Sequence, residues 1–290
     1  MHVTHLVTRN NPGMARHHRP AAEPSRAGTE RVRFVPDGDG RGGWTMLVDG
    51  VQSSHVDLAD PTRLDFEYMR SMGDLLDSAW PRDRSVRAAH LGGAGCTLPG
   101  YLAATRPGSR QVVFEVDAEV LEAARAGFAL RSTARLRLRL ADGRAGLASL
   151  DAGLFDVVVR DAFAVGRIPR HLCTRGFLTE TARVLAEDGI YLANLADPPP
   201  LRLARAEVAT ALAVFGHVAL AAEPAQFKGR RYGNLVLAAS RRPLPEAAWA
   251  RRLAGGAVRA RLLTARPVRD FAAGAAALED LPANAGEAPP

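Results

Sequence analysis

Acidic residues close several apolar runs of this chain, a position from which a carboxylate can bind a nucleoside or move a proton. Glu115 and Asp117 end the run Gln111-Val-Val-Phe-Glu-Val-Asp117, Asp142 follows residues 135–140, and Asp161 ends Phe155-Asp-Val-Val-Val-Arg-Asp161. If these runs are parallel strands, their C-terminal ends border the ligand crevice of an open α/β sheet. A carboxylate there accepts hydrogen bonds from ribose hydroxyls or an adenine amino group. One that faces the reacting end of a ligand serves as a general base. Asp117 and Asp142 also suit helix N-caps, a purely structural use of the same side chain.

The turn that would receive the ligand is Gly92-Gly-Ala-Gly95, which follows residues 86–91, read as a buried strand, and opens a helical pattern. Gly92, Gly93 and Gly95 let the backbone approach a ligand closely. Glu115 stands twenty residues beyond Gly95, the spacing at which an acid meets a ribose in a nucleotide-binding βαβ unit. The pattern runs Gly93-x-Gly95-x-x-Leu98, without the third glycine that allows the close helix–strand packing of a dinucleotide site. Leu98 therefore turns the expectation from NAD toward S-adenosylmethionine (AdoMet) or a relative, which has adenosine but no phosphate.

Strands and helices must alternate to hold these residues in place, and the sequence supplies them. Residues 118–130 read as a helix with Val120, Leu121, Ala124 and Phe128 on one side. Residues 135–140, 155–159, 190–195 and 218–222 read as strands, with helices at 173–185 and 201–215 between them, and 232–240 as an edge hairpin partner. This order predicts a Rossmann-like α/β fold of the class I AdoMet-methyltransferase type, a seven-stranded sheet with a small N-terminal β-rich segment. The expected divisions are a disordered lead-in at 1–30, the β-rich segment with a helix at 31–80, the sheet domain at 81–241, and a helical segment with a frayed tail at 242–290. The glycine- and charge-rich loop 227–234 reads either as an ordinary hairpin loop or as a cover for an acceptor pocket.

Composition narrows the function. The 290 residues, 47% hydrophobic, contain no apolar run of the roughly 18 residues a membrane span needs. Residues 1–30 lack the apolar core of a secretory signal, so a cytoplasmic location is expected. Cys96 and Cys173 match neither a disulfide framework nor a metal motif, and no metal is expected. The net charge of +7 comes from 38 basic residues, of which only Lys228 is not arginine. Scattered arginines without interleaved aromatics argue against nucleic-acid binding.

As an ordered set, Val48-Asp-Gly-Val-Gln-Ser-Ser54, Asp65-Phe-Glu-Tyr-Met-Arg70, His90-Leu-Gly-Gly-Ala-Gly95, Phe114-Glu-Val-Asp117, Leu140-Ala-Asp-Gly143 and the run ending at Asp161 resemble the spermidine synthases, the aminopropyltransferases, and especially their spermidine synthase-like relatives. The resemblance covers roughly residues 44–240. It implies that Glu115 is the ribose-binding acid, that Asp142 with Gly143 lies at the adenine, and that Asp161 takes a proton from an attacking amine. It further implies that Gln52 touches the nucleotide and that Tyr68 lines the amine pocket. A small-molecule amine acceptor, AdoMet or decarboxylated AdoMet as donor, and a homodimer are compatible with it.

Two departures from the family pattern stand out. The family's aspartate in the glycine turn is replaced by Gly95, and its Asp-Ser-Ser-Asp-Pro run by Asp161-Ala-Phe. Arg160, Arg167, Arg170 and Arg175 also surround Asp161 in sequence. Aminopropyl transfer, methyl transfer from intact AdoMet, and nucleoside binding without turnover therefore all stay open. The lost acid and Arg160 lead to the expectation that intact AdoMet is preferred over its decarboxylated form.

Overall fold

The computed structural model describes residues 28–281, except 39, 94, 165, 257 and 258. The expected lead-in, up to residue 27, and the expected frayed tail, from residue 282, lie outside the described residues.

A three-stranded antiparallel sheet comes first: β1 (Val32–Pro36), β2 (Gly43–Val48) and β3 (Val51–Asp57). Asp49 and Gly50 join β2 to β3 with φ of 51° and 80°, the two-residue turn in which Asp-Gly is favoured because both positions need positive φ. Helix α1 (Glu67–Ala79) leads into the main sheet. There follow β4 (Arg87–Gly92), α2 (Thr97–Thr105), β5 (Arg110–Glu115), α3 (Ala118–Gly127), β6 (Leu136–Leu140), α4 (Gly143–Ala148), β7 (Phe155–Asp161) and α5 (Arg175–Val184). The chain continues through β8 (Leu185–Ala196), α6 (Arg202–Val214), β9 (His217–Ala222), α7 (Pro224–Phe227), β10 (Asn234–Ser240), α8 (Glu246–Gly255), β11 (Arg261–Thr264) and α9 (Ala265–Ala272).

The spatial order is β6-β5-β4-β7-β8-β10-β9-β11. Strands β4 to β8 run parallel to one another, and β10 is antiparallel to both β8 and β9. The first seven strands in that order form the methyltransferase-type sheet. Two details differ from expectation. Strand β10 lies inside the sheet, because its apolar run Leu235 to Ala239 is buried on both faces, as an interior strand requires. The edge belongs instead to β11, which pairs with β9 and whose four residues are too few for periodicity to reveal.

Strand alternation divides the core. Ala89, Leu91 and Val158 pack toward α4, α5, α6 and α9, whereas Ala88, Val157 and Val159 pack toward α1, α2 and α8. The small sheet is pinned through Val32 and Met46 against Val120 and Ala124 of α3. No described helix is long and apolar enough to cross a membrane.

Candidate active site

Strand β7 delivers Asp161 to the α1 side of the sheet, in phase with Val157 and Val159. There Tyr68 of α1 donates its phenol hydrogen to Asp161 Oδ2 at 3.0 Å. Asn194, at the end of β8, donates from Nδ2 to Oδ1 at 2.9 Å. Burial pushes the Asp161 carboxyl above the ordinary carboxylate range, and the two donated hydrogen bonds and nearby Arg160 only partly oppose it. Burial, together with the Asp161 charge and hydrogen bond, raises the Tyr68 phenol as well, so Tyr68 acts as a donor.

The glycine turn meets Asp161 edge to edge. Gly92 is registered against Asp161 across β4 and β7, and a Cβ at Gly92 would lie 2.5 Å from the Asp161 carbonyl oxygen. With φ of 78° and 109°, Gly92 and Gly93 turn the chain away from the sheet. A Cβ at Gly93 would meet nothing within 4 Å, leaving that backbone open to the adjoining space. Gly95 has a different task. Its N–H donates to Ser54 Oγ at 3.0 Å, and a Cβ there would come 2.7 Å from Ser54 Cβ. Ser54 and Val56 of the small sheet therefore fill the space beside Gly95, and Gly95 does not border the cavity.

A cavity of about 2320 Å³ opens along these strand ends, bordered by Gln52, Tyr68, Gly92, Gly93, Glu115, Asp142, Gly143 and Asp161. Glu115 lies at its wall and accepts the Asp117 N–H at 3.1 Å. Asp117 also borders the cavity, but its carboxylate caps α3 through Glu119 and Val120 and pairs with Arg31 at 3.0 Å. Asp142 caps α4 with Oδ1 and faces His171 Nε2 at 2.7 Å with Oδ2. That His171 contact and the capping N–H groups hold its carboxyl below the ordinary range despite burial. His171 and Asn194 went unread in the sequence; an asparagine interrupting the apolar run Tyr191-Leu-Ala-Asn-Leu195 was the available signal for the second.

The expected arginine rim is corrected by the same strand alternation. Arg160 points to the opposite face of the sheet, fully buried, with Nη2 2.6 Å from Glu207 Oε2 and Nε 3.1 Å from the Tyr191 hydroxyl. Arg175 is exposed at the start of α5, where it pairs with Glu279. Of the four arginines near Asp161 in sequence, only Arg170 borders the cavity. The cavity wall also carries Asp49, Asp65, Glu67, Asp74, Asp77 and Glu223 in addition to the acids already named, so that its acids outnumber its arginines, Arg31, Arg70, Arg82, Arg170, Arg231 and Arg252. Both cysteines are free and buried, and burial pushes the Cys96 thiol up to about 12, which leaves it inert as a nucleophile.

A methyltransferase-type sheet with a small antiparallel sheet at its mouth, and a tyrosine-held aspartate at the end of its fourth strand, define an AdoMet-type transferase architecture. No family model matches the chain. A probable spermidine synthase from Corynebacterium glutamicum is 35% identical, superposes with a TM-score of 0.81, and is matched over 89% of this chain and 95% of its own. The polyamine aminopropyltransferase of Vibrio vulnificus is 31% identical over 169 residues, 57% of this chain; the match spans about half (54%) of that relative. Human methyltransferase-like protein 13, solved with SAH, shares the fold at a TM-score of 0.52 and 22% identity, over 61% of this chain and 83% of its own. The chain belongs to the spermidine synthase family.

Proposed function

We propose that this protein transfers an aminopropyl group from decarboxylated AdoMet to an amine, as in polyamine biosynthesis. The observation that carries the reading is Asp161, held on the cavity wall by Tyr68 and Asn194 with both oxygens oriented. Asp161 takes a proton from the acceptor ammonium. The freed nitrogen lone pair then attacks the methylene bonded to the sulfonium. An N–C bond forms as the C–S bond breaks, and the bond pair neutralises sulfur, so methylthioadenosine leaves as a thioether. The sulfonium is already activated, so the protein contributes chiefly proximity, orientation and this proton acceptor. Glu115 and Gln52 hold the ribose side, the open backbone of Gly93 lies beneath the nucleoside, and Asp142 with Gly143 meets the adenine edge.

The charge of the cavity decides between donors. Intact AdoMet would bring its carboxylate among acids, whereas the decarboxylated form brings only an ammonium. Decarboxylated AdoMet should therefore outcompete AdoMet at least tenfold, about 1.4 kcal/mol, in competition binding. A preference for intact AdoMet would favour methyl transfer instead.

Thermal shift with methylthioadenosine tests the nucleoside site, since a bound ligand stabilises by mass action. Glu115→Ala should weaken that binding by about 1 to 3 kcal/mol through ribose hydroxyls left without an acceptor. Wild-type affinity in the variant would remove Glu115 from the ribose.

A further inference from the structure

Arg31, immediately before β1, reaches two walls of the nucleoside end of the cavity at once. Its Nε and Nη2 donate to the two carboxylate oxygens of Asp49 at 3.1 and 3.2 Å. Nη2 also donates to Asp117 Oδ2 at 3.0 Å, and Nη1 to Glu119 Oε2 at 2.9 Å. Asp49 belongs to the turn between β2 and β3, whereas Asp117 and Glu119 open α3. A planar guanidinium suits this task, because its donors are fixed in a fork that takes one carboxylate bidentately and still serves a neighbour. The backbone of Arg31 is itself held. Its carbonyl accepts the Asp49 N–H at 2.9 Å, and Thr29 Oγ1, which accepts the Val32 N–H at 3.0 Å, is hydrogen-bonded to Glu119.

Both walls carry residues assigned to the donor. Gln52 stands three residues beyond Asp49 and borders the cavity, as do Arg31 and Asp49 themselves. On the other wall, the Asp117 N–H donates to Glu115 Oε1 at 3.1 Å, so the residue that Arg31 holds in turn holds the ribose acid. Apolar packing anchors the base of the small sheet through Val32 and Met46, but residues 49–52 at its tip are exposed. A single exposed ion pair contributes little; a network built on a bidentate arginine is the exception. Without the guanidinium, the Asp49 carboxylate would face Asp117 and Glu119 with like charge, and the tie that Arg31 makes between the tip and the β5–α3 corner would be gone.

We propose that Arg31 is a positioning residue for the donor nucleoside, a clamp that holds Gln52 of the hairpin and Glu115 of β5 at the separation the ribose requires. This deepens the aminopropyl-transfer reading and rests on its nucleoside site; Arg31 itself touches none of the reacting atoms.

The test measures the affinities of methylthioadenosine and decarboxylated AdoMet by calorimetry in wild type, Arg31→Gln, Arg31→Lys and Asp49→Ala, together with donor KM, kcat and hydrogen exchange. Arg31→Gln should weaken both ligands about fivefold or more, the lower end of what coupling between two sites commonly gives. Donor KM should rise with it, while kcat at saturating donor and the acceptor KM stay at their wild-type values. Arg31→Lys, a point charge without the fork, should restore only part of the affinity. Asp49→Ala, which cuts the same tie from the hairpin side, should weaken methylthioadenosine as well. Amide exchange in residues 48–53 should quicken in Arg31→Gln and slow when methylthioadenosine binds the wild type. The charges of the two ligands separate clamping from simple electrostatics. Methylthioadenosine is neutral and the decarboxylated donor is a dication, so an arginine acting only through its charge would repel the donor. Arg31→Gln would then tighten the donor and leave methylthioadenosine unmoved. That result would overturn the proposal, as would unchanged affinities for both ligands, with or without a fall in melting temperature. A wild type that binds neither ligand would overturn the clamp and the nucleoside site together. Methylthioadenosine binding that depends on Arg31 without any transfer would keep the clamp and discard the aminopropyl reaction; transfer whose donor KM ignores Arg31 would do the reverse.

Discussion

Asp161→Asn is expected to lower turnover at least about 100-fold, the scale of a positioned proton acceptor, while leaving methylthioadenosine affinity at the wild-type level. The variant is nearly isosteric and its hydrogen bonds can be re-formed. The new amide oxygen accepts from Tyr68, and the new NH2 finds Asn194 Oδ1, which lacks a partner in the native protein, once the Asn194 amide turns over. The pH dependence follows from the direction of the shift. Because burial raises the Asp161 carboxyl, the base is protonated and activity lost at a higher pH than an ordinary carboxylate would give, and the acidic limb of the kcat profile should lie accordingly. The same shift has a stability consequence. Below the unfolded carboxylate pKa both states are protonated and no cost arises. As pH rises the unfolded state ionises first, and the cost is complete above the folded pKa. At neutral pH Asp161→Asn should therefore melt at or slightly above the wild-type temperature. Undiminished turnover in this variant would remove Asp161 from the chemistry, and a large fall in melting temperature would make it a structural group.

How much of this could be read from the chain depends on the range of the forces involved. Strand ends, the glycine turn and the acids at 115, 142 and 161 are local patterns, and the sheet places all of them on one cavity. Alternation along β7 was equally local: Val157, Val159 and Asp161 share one face and Arg160 the other, so a period of two already separates the base from the arginine beside it in sequence. The pairings that complete the site are long-range. Tyr68 meets Asp161 across 93 positions and Asn194 meets it across 33, and no periodicity within one element encodes either. His171 sits on Asp142 only because the chain after β7 folds back over α4. The acids of α1 carried no role in the sequence reading; α1 packs one side on the core through Met69, Met72, Leu75 and Leu76, which leaves Glu67 and Asp74 on the cavity wall.

Glu207→Ala should lower stability by about 3 to 5 kcal/mol, the usual consequence of leaving one member of a buried ion pair alone. Arg160 and Glu207 have 0% and 3% of their side chains exposed, and the glutamate reaches into β7 from α6 on the face away from the cavity. Burial opposes the charge on Arg160, but Glu207 and Tyr191 outweigh it and keep the guanidinium protonated. An arginine cannot escape by losing its proton at accessible pH, so without Glu207 its charge stays in the core with only the neutral Tyr191 hydroxyl oxygen at 3.1 Å and Cys173 Sγ at 4.0 Å as hydrogen-bond partners among the described residues. At about 2 to 4 °C per kcal/mol, the melting temperature should fall by about 10 °C. Replacing both residues with apolar ones, Arg160→Met with Glu207→Leu, should recover most of that loss, since well-packed hydrophobic groups commonly match a buried pair. Neither Glu207 nor Arg160 borders the cavity, so the double variant should retain wild-type affinity for methylthioadenosine and for the decarboxylated donor. Donor discrimination that changed in the double variant while its stability held would place Arg160 in the binding site after all. An unchanged melting temperature in Glu207→Ala would show that the pair does not hold the sheet to α6.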